Sequence, residues 1–238
     1  MKILYGIQGT GHGHISRARE LLPELSRHAS VDVLISGTAS QLSINEGVTF
    51  RKQGISLSYD RNGGVSVIET LRDLRPIRFI NDVQSTSLSE YDLVISDYEP
   101  VSAWSAKLEN VPCVALSHQA SFLSSKTPRP GRKSLVAETL FRHFAPADYS
   151  VGFHFKRYDE FVEPPLIRSA IRELAASEND HITVYLPAYH HSVLKKIFAP
   201  FSHVDWHIFS PSISGVLRDK NCWIHPVSNQ PFLDSFAS

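Results

Sequence analysis

The sequence predicts an α/β protein built on a doubly wound parallel sheet, followed by the start of a second domain of the same kind. Three observations predict this class. The apolar run Lys2–Tyr5 leads through a glycine-rich loop into a helical pattern. Strand and helix signals then alternate over about the first 120 residues, as in parallel sheets with helices on both faces. The alternation restarts after Pro164 and Pro165, so we expect domains over residues 1–160 and 169–238, with a linker over residues 161–168.

The strands predicted for the first domain are short apolar runs bounded by turn residues. In order they are Lys2–Tyr5, Val31–Ile35, Val48–Phe50, Ser56–Tyr59, Tyr91–Ser96, Val111–Ser117 and Tyr149–Phe153. Helical patterns fall between them, at residues 15–25, 39–45, 65–88, 100–108 and 135–144. We expect Pro76 to break or kink the longest of these helices, because proline lacks the backbone N–H.

The second domain is expected to be incomplete, because about 70 residues are few for a doubly wound domain. Its predicted elements are a helix over 167–176, a strand over His181–Leu186, a helix over 189–199, strands over Trp206–Phe209 and Cys222–His225, and a last helix beginning in Gln230–Ala237.

Composition excludes several classes of protein. The chain balances 24 basic against 24 acidic residues, so nothing in its net charge indicates nucleic acid as a partner. Cys113 and Cys222 lie in apolar runs and indicate buried thiols of a reducing compartment. No signal peptide and no membrane-length apolar run occur. We therefore expect a cytoplasmic protein, with peripheral contact with the inner membrane face left open.

The loop after the first strand contains Gly9, Gly11, His12, Gly13 and His14. A strand, a glycine loop and a helix together bring backbone N–H groups to an anionic group. Its spacing departs from the dinucleotide fingerprint, because His14 stands where the last glycine belongs, and no P-loop lysine follows. Nicotinamide and flavin cofactors are disfavoured, and the two histidines indicate chemistry or acceptor binding.

Ligands of doubly wound sheets bind beyond the carboxyl ends of the strands. With strand order 3-2-1-4-5, the histidine loop would face Asp97 and Glu99, which follow the strand Tyr91–Ser96. His118 follows the next strand at the same edge. A carboxylate beside an imidazole is the arrangement of a general base acting on a hydroxyl. We therefore predict His14 as the base, with Asp97 or Glu99 orienting it or binding the acceptor.

Structural alternatives stay open for these residues. Asp97 is equally well interpreted as the cap of the helix that begins near Pro100. His118 suits a structural role at its strand end as well as a catalytic one, and His12 is expected to be exposed and secondary. The basic residues Lys126, Arg129, Arg132 and Lys133 past the Val111–Ser117 strand could hold a phosphate or a lipid head group, but a solvated loop is favoured. No spacing typical of metal ligands occurs, so no metal is expected.

Three segments resemble a known family. They are Gly9-Thr-Gly-His-Gly-His-Ile-Ser-Arg17-Ala, Val94-Ile-Ser-Asp-Tyr-Glu-Pro100 and Val111-Pro-Cys-Val-Ala-Leu-Ser-His-Gln119. Together they resemble GT-B glycosyltransferases, especially relatives of the enzyme that adds N-acetylglucosamine to a lipid-linked muramoyl-peptide. The resemblance implies two facing Rossmann-like domains, the first binding a sugar or lipid-linked acceptor and the second a nucleotide-sugar donor. It also implies that the Gly9–His14 loop, with Arg17, lies against acceptor and donor phosphates.

The resemblance leads to expectations for activity. We expect a transferase that moves a sugar from a nucleotide-sugar donor to a hydroxyl acceptor, without a further cofactor. The family's donor-binding segments belong downstream of Phe236, so the chain is expected to be a truncated fragment, inactive alone. Two alternatives remain: a nucleotide-sugar epimerase or hydrolase of the same fold, and a non-catalytic glycan- or nucleotide-binding module.

Overall fold

The structure is a computed structural model that describes residues 1–10, 12–37, 48–56, 72, 75–129, 131, 134–187 and 189–237. These residues form two compact units, the first within Met1–Leu57 and Thr70–Arg168 and the second within Ser169–Ser238. The predicted helix over 39–45 and the predicted turn Asp60–Gly64 lie outside the described residues, as does most of the predicted strand Ser56–Tyr59.

The first unit is a seven-stranded parallel sheet with helices packed against it. Its strands are β1 (Lys2–Gln8), β2 (Ser30–Ser36), β3 (Val48–Lys52), β4 (Leu93–Asp97), β5 (Cys113–Ser117), β6 (Tyr149–Phe153) and β7 (Val162–Glu163). They lie in the order β3-β2-β1-β4-β5-β6-β7. This confirms the predicted order 3-2-1-4-5. β7 lies within the segment that the prolines marked as a linker, so the sheet extends further along the chain than the sequence indicated.

The helices of this unit are α1 (His12–His28), α2 (Pro76–Gln84), α3 (Pro100–Glu109) and α4 (Leu135–His143), with a 3₁₀ helix at Gln119–Leu123. Pro76 does not kink a longer helix in the described residues: it stands in the first turn of α2, where a missing N–H costs nothing. The N-terminal part of the predicted helix over 65–88 lies largely outside the described residues.

Two hydrophobic layers hold the first sheet. On one face, Ile3, Tyr5 and Ile7 of β1 pack against Ile15 and Ala18 of α1. On the other face, buried residues of the strands and of α2 and α3 pack together, among them Leu4, Leu34, Val83, Val94 and Val101. β1 has buried residues on both faces because it lies between β2 and β4, each paired to it in parallel. Its carboxyl end, next to that of β4, is thereby held rigidly.

The second unit contains α5 (Ser169–Arg172), β8 (His181–Tyr185), α6 (His191–Phe198), β9 (Asp205–Ser210), β10 (Leu217–Asp219), β11 (Cys222–Pro226) and α7 (Asn229–Ala237). Its sheet has the order β10-β11-β9-β8. The predicted strands His181–Leu186, Trp206–Phe209 and Cys222–His225 are confirmed to within a residue or so. The structure adds the antiparallel strand β10, and it reduces the helix expected over 167–176 to the four residues of α5. No helix in the described part of the chain is both long and apolar enough to cross a membrane.

Candidate active site

A buried carboxylate at the end of β4 holds two side chains from the first turns of α1. The Asp97 side chain has no exposed surface. Its Oδ1 lies 2.8 Å from His14 Nδ1, and the Arg17 guanidinium donates to Oδ1 and to Oδ2, the latter at 2.6 Å. Because a carboxylate only accepts, Nδ1 of His14 carries the hydrogen. In the neutral form of the ring, this contact leaves the lone pair on Nε2.

Local structure explains why these three side chains meet. Ile7 of β1 is in register with Asp97, so the Asp97 side chain lies on the sheet face that α1 covers. His14 and Arg17 are three residues apart on α1 and therefore project from the same side of the helix. One carboxylate from the sheet thus meets two basic groups from successive turns. The predicted proximity of His14 and Asp97 is what the structure shows, and the alternative that Asp97 caps α3 is wrong.

Packing requires glycine at Gly9 but not at Gly13. The Gly9 N–H donates to the Ser36 carbonyl at 2.6 Å, and a Cβ at Gly9 would lie 2.8 Å from that oxygen. Only glycine permits this close approach of β1 to β2. A Cβ at Gly13, which lies on α1, would meet nothing within 4 Å. Gly11 and the side chain of His12 lie outside what the structure describes, so their predicted roles stay predictions.

Glu99 does not face His14, which corrects the expectation that it orients the histidine or binds the acceptor. It is the N-cap of α3 and accepts hydrogen bonds from the backbone N–H groups of Val101 and Ser102, each at 2.7 Å, and from the Ser36 hydroxyl. Its side chain is completely buried, and that burial raises its pKa above the usual range although these hydrogen bonds oppose the shift. Glu99 stabilises the helix start and has no surface to offer a substrate.

A cavity of about 300 Å³ opens beside the Asp97 cluster, within the first unit. Its lining includes Gly13 and Arg17 of α1, His118 after β5, and Phe153 and His154 at the end of β6. His118 Nδ1 donates to the Phe153 carbonyl at 2.7 Å, which leaves its Nε2 as the acceptor nitrogen. The predicted residue His118 therefore has both a structural hydrogen bond and a place at the cavity.

Two further groups belong to this region, and the sequence did not indicate them. His154 lies with its ring centre 5.5 Å from that of His118, and burial, followed by the nearby His118, lowers its pKa. Tyr5 of β1 is wholly buried beside the cluster, and burial raises the pKa of its hydroxyl, with the Asp97 charge adding to the effect. Among the described residues no hydrogen-bond partner exists for the Tyr5 hydroxyl. The only sequence signal for His154 was its position directly after a predicted strand.

The basic loop after β5 is mostly structural where it is described. Arg129 is only 10 % exposed at its side chain, pairs with Glu138 at 2.9 Å, and donates to the backbone carbonyls of Phe122, Ser124 and Thr127. Lys126 is exposed and pairs with Asp159. Arg132 and Lys133 lie outside the described residues. In the described part of the loop, Arg129 therefore stabilises the loop backbone.

The fold and the position of this site define a class. A parallel α/β unit with polar residues at the carboxyl edge of the sheet, followed by a second α/β unit, matches the fold of GT-B glycosyltransferases. The solved structure of the glycosyltransferase SnogD from Streptomyces nogalater has this fold: it matches 94% of this chain and 72% of its own with a TM-score of 0.52, at 12% identity. MurG of Acinetobacter baumannii matches 95% of this chain with a TM-score of 0.43, at 12% identity and over 66% of its own length.

Family membership comes from the sequence match. Residues 1–238 match the family described as Glycosyl transferase family 1, and the chain belongs to that family. An uncharacterized glycosyltransferase from Methanosarcina acetivorans is 30% identical over 213 residues, which are 77% of this chain and 54% of that protein. The chain thus spans about half the length of the curated relative it matches. The expected resemblance is confirmed for family and fold.

Proposed function

We propose that the protein transfers a sugar from a nucleotide-sugar donor to a hydroxyl group of an acceptor, with His14 as the general base. The observation that carries the proposal is the hydrogen bond between His14 Nδ1 and the buried Asp97 carboxylate. It sets the tautomer in which Nε2 is free to accept a proton. The family and fold support glycosyl transfer as the class of reaction.

In the proposed step His14 Nε2 takes the proton of the acceptor hydroxyl while its oxygen bonds to the anomeric carbon of the donor sugar. The bond from that carbon to the nucleoside diphosphate breaks, and the diphosphate leaves with its electron pair. Asp97 holds the imidazole and stabilises the imidazolium that forms. The nucleotide sugar is a co-substrate in this scheme, and neither a metal ion nor another cofactor takes part.

The acceptor is proposed to occupy the cavity lined by Gly13, Arg17 and His118. The rim of this cavity carries exposed apolar side chains, with Phe155 90 % and Leu166 41 % exposed. Such a rim favours an acceptor with an apolar portion, such as a lipid-linked sugar, and would suit peripheral contact with a membrane surface. Glu99, which is enclosed by the fold, has no part in this site.

A cytoplasmic location is proposed from the two thiols. Cys113 and Cys222 are both free and buried. Burial raises the pKa of the Cys113 thiol to about 12, which keeps it protonated and unreactive. Unpaired, unreactive cysteines fit a reducing compartment.

The test measures transfer by the full-length protein with a panel of nucleotide sugars and hydroxyl acceptors. His14→Gln is expected to lower the rate constant of transfer about 10²- to 10⁴-fold, because it removes the base but keeps a polar group. His28→Gln is the matched control, since His28 lies on the same helix with a side chain 74 % exposed, and is expected to leave the rate unchanged.

Two results would contradict the proposal. A wild-type rate in His14→Gln would remove the base assignment. Consumption of the nucleotide sugar at an equal rate with and without acceptor would identify a hydrolase or an epimerase instead of a transferase.

A further inference from the structure

Arg17 was expected to bind acceptor or phosphate, but the structure gives it a different partner. Its guanidinium donates to both oxygens of Asp97 and lies over the Phe153 ring, with 5.4 Å from Cζ to the ring centre. Its side chain is 15 % exposed, and that of His14 is 12 % exposed. Held between a carboxylate and an aromatic face, the guanidinium shares one acceptor with the histidine.

The sharing matters because of charge. With a neutral imidazole, the cluster of His14, Asp97 and Arg17 has a net charge of zero. Adding a proton to His14 would then place an uncompensated positive charge in a nearly buried site, which is unfavourable. Without Arg17, the same proton would neutralise a buried carboxylate, which is favourable. A base that already carries the proton cannot take one from a hydroxyl.

We propose that Arg17 is a positioning residue that keeps His14 neutral and able to accept a proton by balancing the charge of Asp97. This inference rests on the proposed function, because a neutral His14 matters only if His14 acts as the base. The charge balance itself can be measured without any substrate. In this role Arg17 acts through Asp97, whose two oxygens it contacts, although its side chain also lines the cavity proposed for the acceptor. Arg17 lies about one helical turn from His14. Its positive charge offsets the negative charge of Asp97, so that the cluster with a neutral His14 has no net charge.

The other charged or titratable groups described near the cluster are not acidic groups that would draw a proton to His14. Tyr5 of β1 lies on the same side of the sheet, and because burial raises the pKa of its hydroxyl it stays uncharged at neutral pH. The cavity that Arg17 lines is also lined by His118, His154 and the cation Arg168; burial lowers the pKa of His154, which favours its neutral form. The first turn of α1 contributes no acidic side chain. Among these neighbours Asp97 is the group that draws a proton to His14, and Arg17 offsets it.

The experiment follows the His14 ring by ¹⁵N NMR of histidine-labelled protein across a pH titration, without donor or acceptor. In Arg17→Gln, which keeps a hydrogen-bond donor but no charge, the proton affinity of His14 is expected to rise about tenfold or more. Arg17→Lys keeps the charge and is expected to stay close to wild type. Arg27→Gln is the matched control, because Arg27 lies on the same helix with a side chain 70 % exposed.

The wild-type protein supplies a test that needs no variant. At neutral pH its His14 is expected to give the spectrum of a neutral ring protonated at Nδ1, and an imidazolium spectrum there would overturn the proposal. So would an unchanged titration in a folded Arg17→Gln protein, or equal shifts in Arg17→Gln and Arg17→Lys. A purely structural role for Arg17 would lower stability without moving the titration. Since no substrate is used, this result is independent of whether His14→Gln abolishes transfer.

Discussion

Both units of this protein have histidines where a helix meets a sheet, but the groups around these histidines differ. In the first unit, His14 of α1 meets the fully buried Asp97 at the carboxyl end of β4, with Arg17 on the same carboxylate. In the second unit, His181 and His207 stack with ring centres 4.2 Å apart on the sheet face that α7 covers. A backbone carbonyl, a hydroxyl group and other rings contact them there, and no ion pair of theirs is found among the described residues.

The hydrogen bonds of the second unit centre on one serine of α7. The Ser235 carbonyl accepts from the Thr183 hydroxyl at 2.7 Å and from His181 Nε2 at 2.8 Å, and the Ser235 hydroxyl lies 3.1 Å from His207 Nδ1. Burial lowers the pKa of His207, and the neighbouring imidazoles of His181 and His225 add to this effect. These histidines connect a helix to a sheet, and the lowered pKa of His207 favours the neutral form of its ring. The difference teaches that half-buried histidines can have unlike partners: a carboxylate in the first unit, where we propose proton transfer, and stacked rings and a serine in the second, where the contacts are those of packing.

The largest effect on stability is expected from Asp97→Ala, which tests whether the first cluster depends on its charge. Removing the carboxylate leaves Arg17 and His14 without their shared acceptor in a nearly buried site, and we expect the free energy of unfolding to fall by about 3–5 kcal/mol. Urea unfolding of the first unit measures it. Glu90→Ala, which removes a carboxylate 76 % exposed in an ion pair with Lys2, is expected to cost less than about 1 kcal/mol. Equal losses in the two variants would show that burial of the pair contributes nothing.

An intermediate effect is expected from acid on the second unit. Because the pKa values of His207 and His225 are lowered in the folded state, the unfolded chain binds more protons below about pH 6.5. Stability is therefore complete above that pH and is lost as the pH falls through the lowered values. Urea titrations followed by amide NMR of second-unit residues, at about pH 7.5 and about pH 5.5, measure the loss.

Two variants sharpen that pH test. His207→Phe keeps the stacking with His181 but removes one titrating ring, so the difference between the two pH values is expected to shrink. His203→Phe replaces an exposed histidine of the same unit and is expected to keep the wild-type difference. If stability rose on acidification, the interpretation of these rings as neutral packing groups would be wrong.

The smallest effect is expected from Ser235→Ala. The change removes the hydroxyl contacts with Thr183 at 2.8 Å and with His207, while the backbone carbonyl of residue 235 still accepts its hydrogen bonds. We expect a loss of about 0.5–1.5 kcal/mol in the free energy of unfolding of the second unit, which thermal or urea unfolding resolves. Ser202→Ala, at an exposed turn, is expected to change stability by less than about 0.5 kcal/mol. A larger loss would mean that Ser235 also anchors the backbone of α7.

Much of the fold could be predicted from local patterns. The apolar runs that form β1, β4 and β5 are short and strongly hydrophobic because parallel strands are buried on both faces. The rule that ligands bind at the carboxyl ends of the strands predicted that His14 and Asp97 lie close together. β10 was missed because Leu217–Asp219 has three residues and an exposed, charged pattern. β7 was missed because its two residues stand beside the prolines that marked a linker.

The site was predicted less completely, and Asp97 and Glu99 show why. Both are carboxylates just after a strand and both are predicted from the sequence as candidates to orient the histidine, whereas only Asp97 is considered there as the helix cap. Side chains two residues apart share a face only while a strand continues, and the strand ends at Asp97. Tyr98 then adopts a positive φ of 54°, and Glu99 becomes the cap of α3, on the side of Ser36.

The sequence by itself determined the class of the sheet, the order of its central strands and the meeting of a glycine–histidine loop with an acid at one edge. The elements follow from periodicity, which is a local property of the chain. The strand order and the shared edge follow from the general rules for connections between parallel strands. Only the tertiary structure decided that Asp97 serves the site and Glu99 the helix, and that Arg17 binds Asp97. Those outcomes depend on which groups lie within hydrogen-bond distance after packing, and on the cost of burying a charge without a partner.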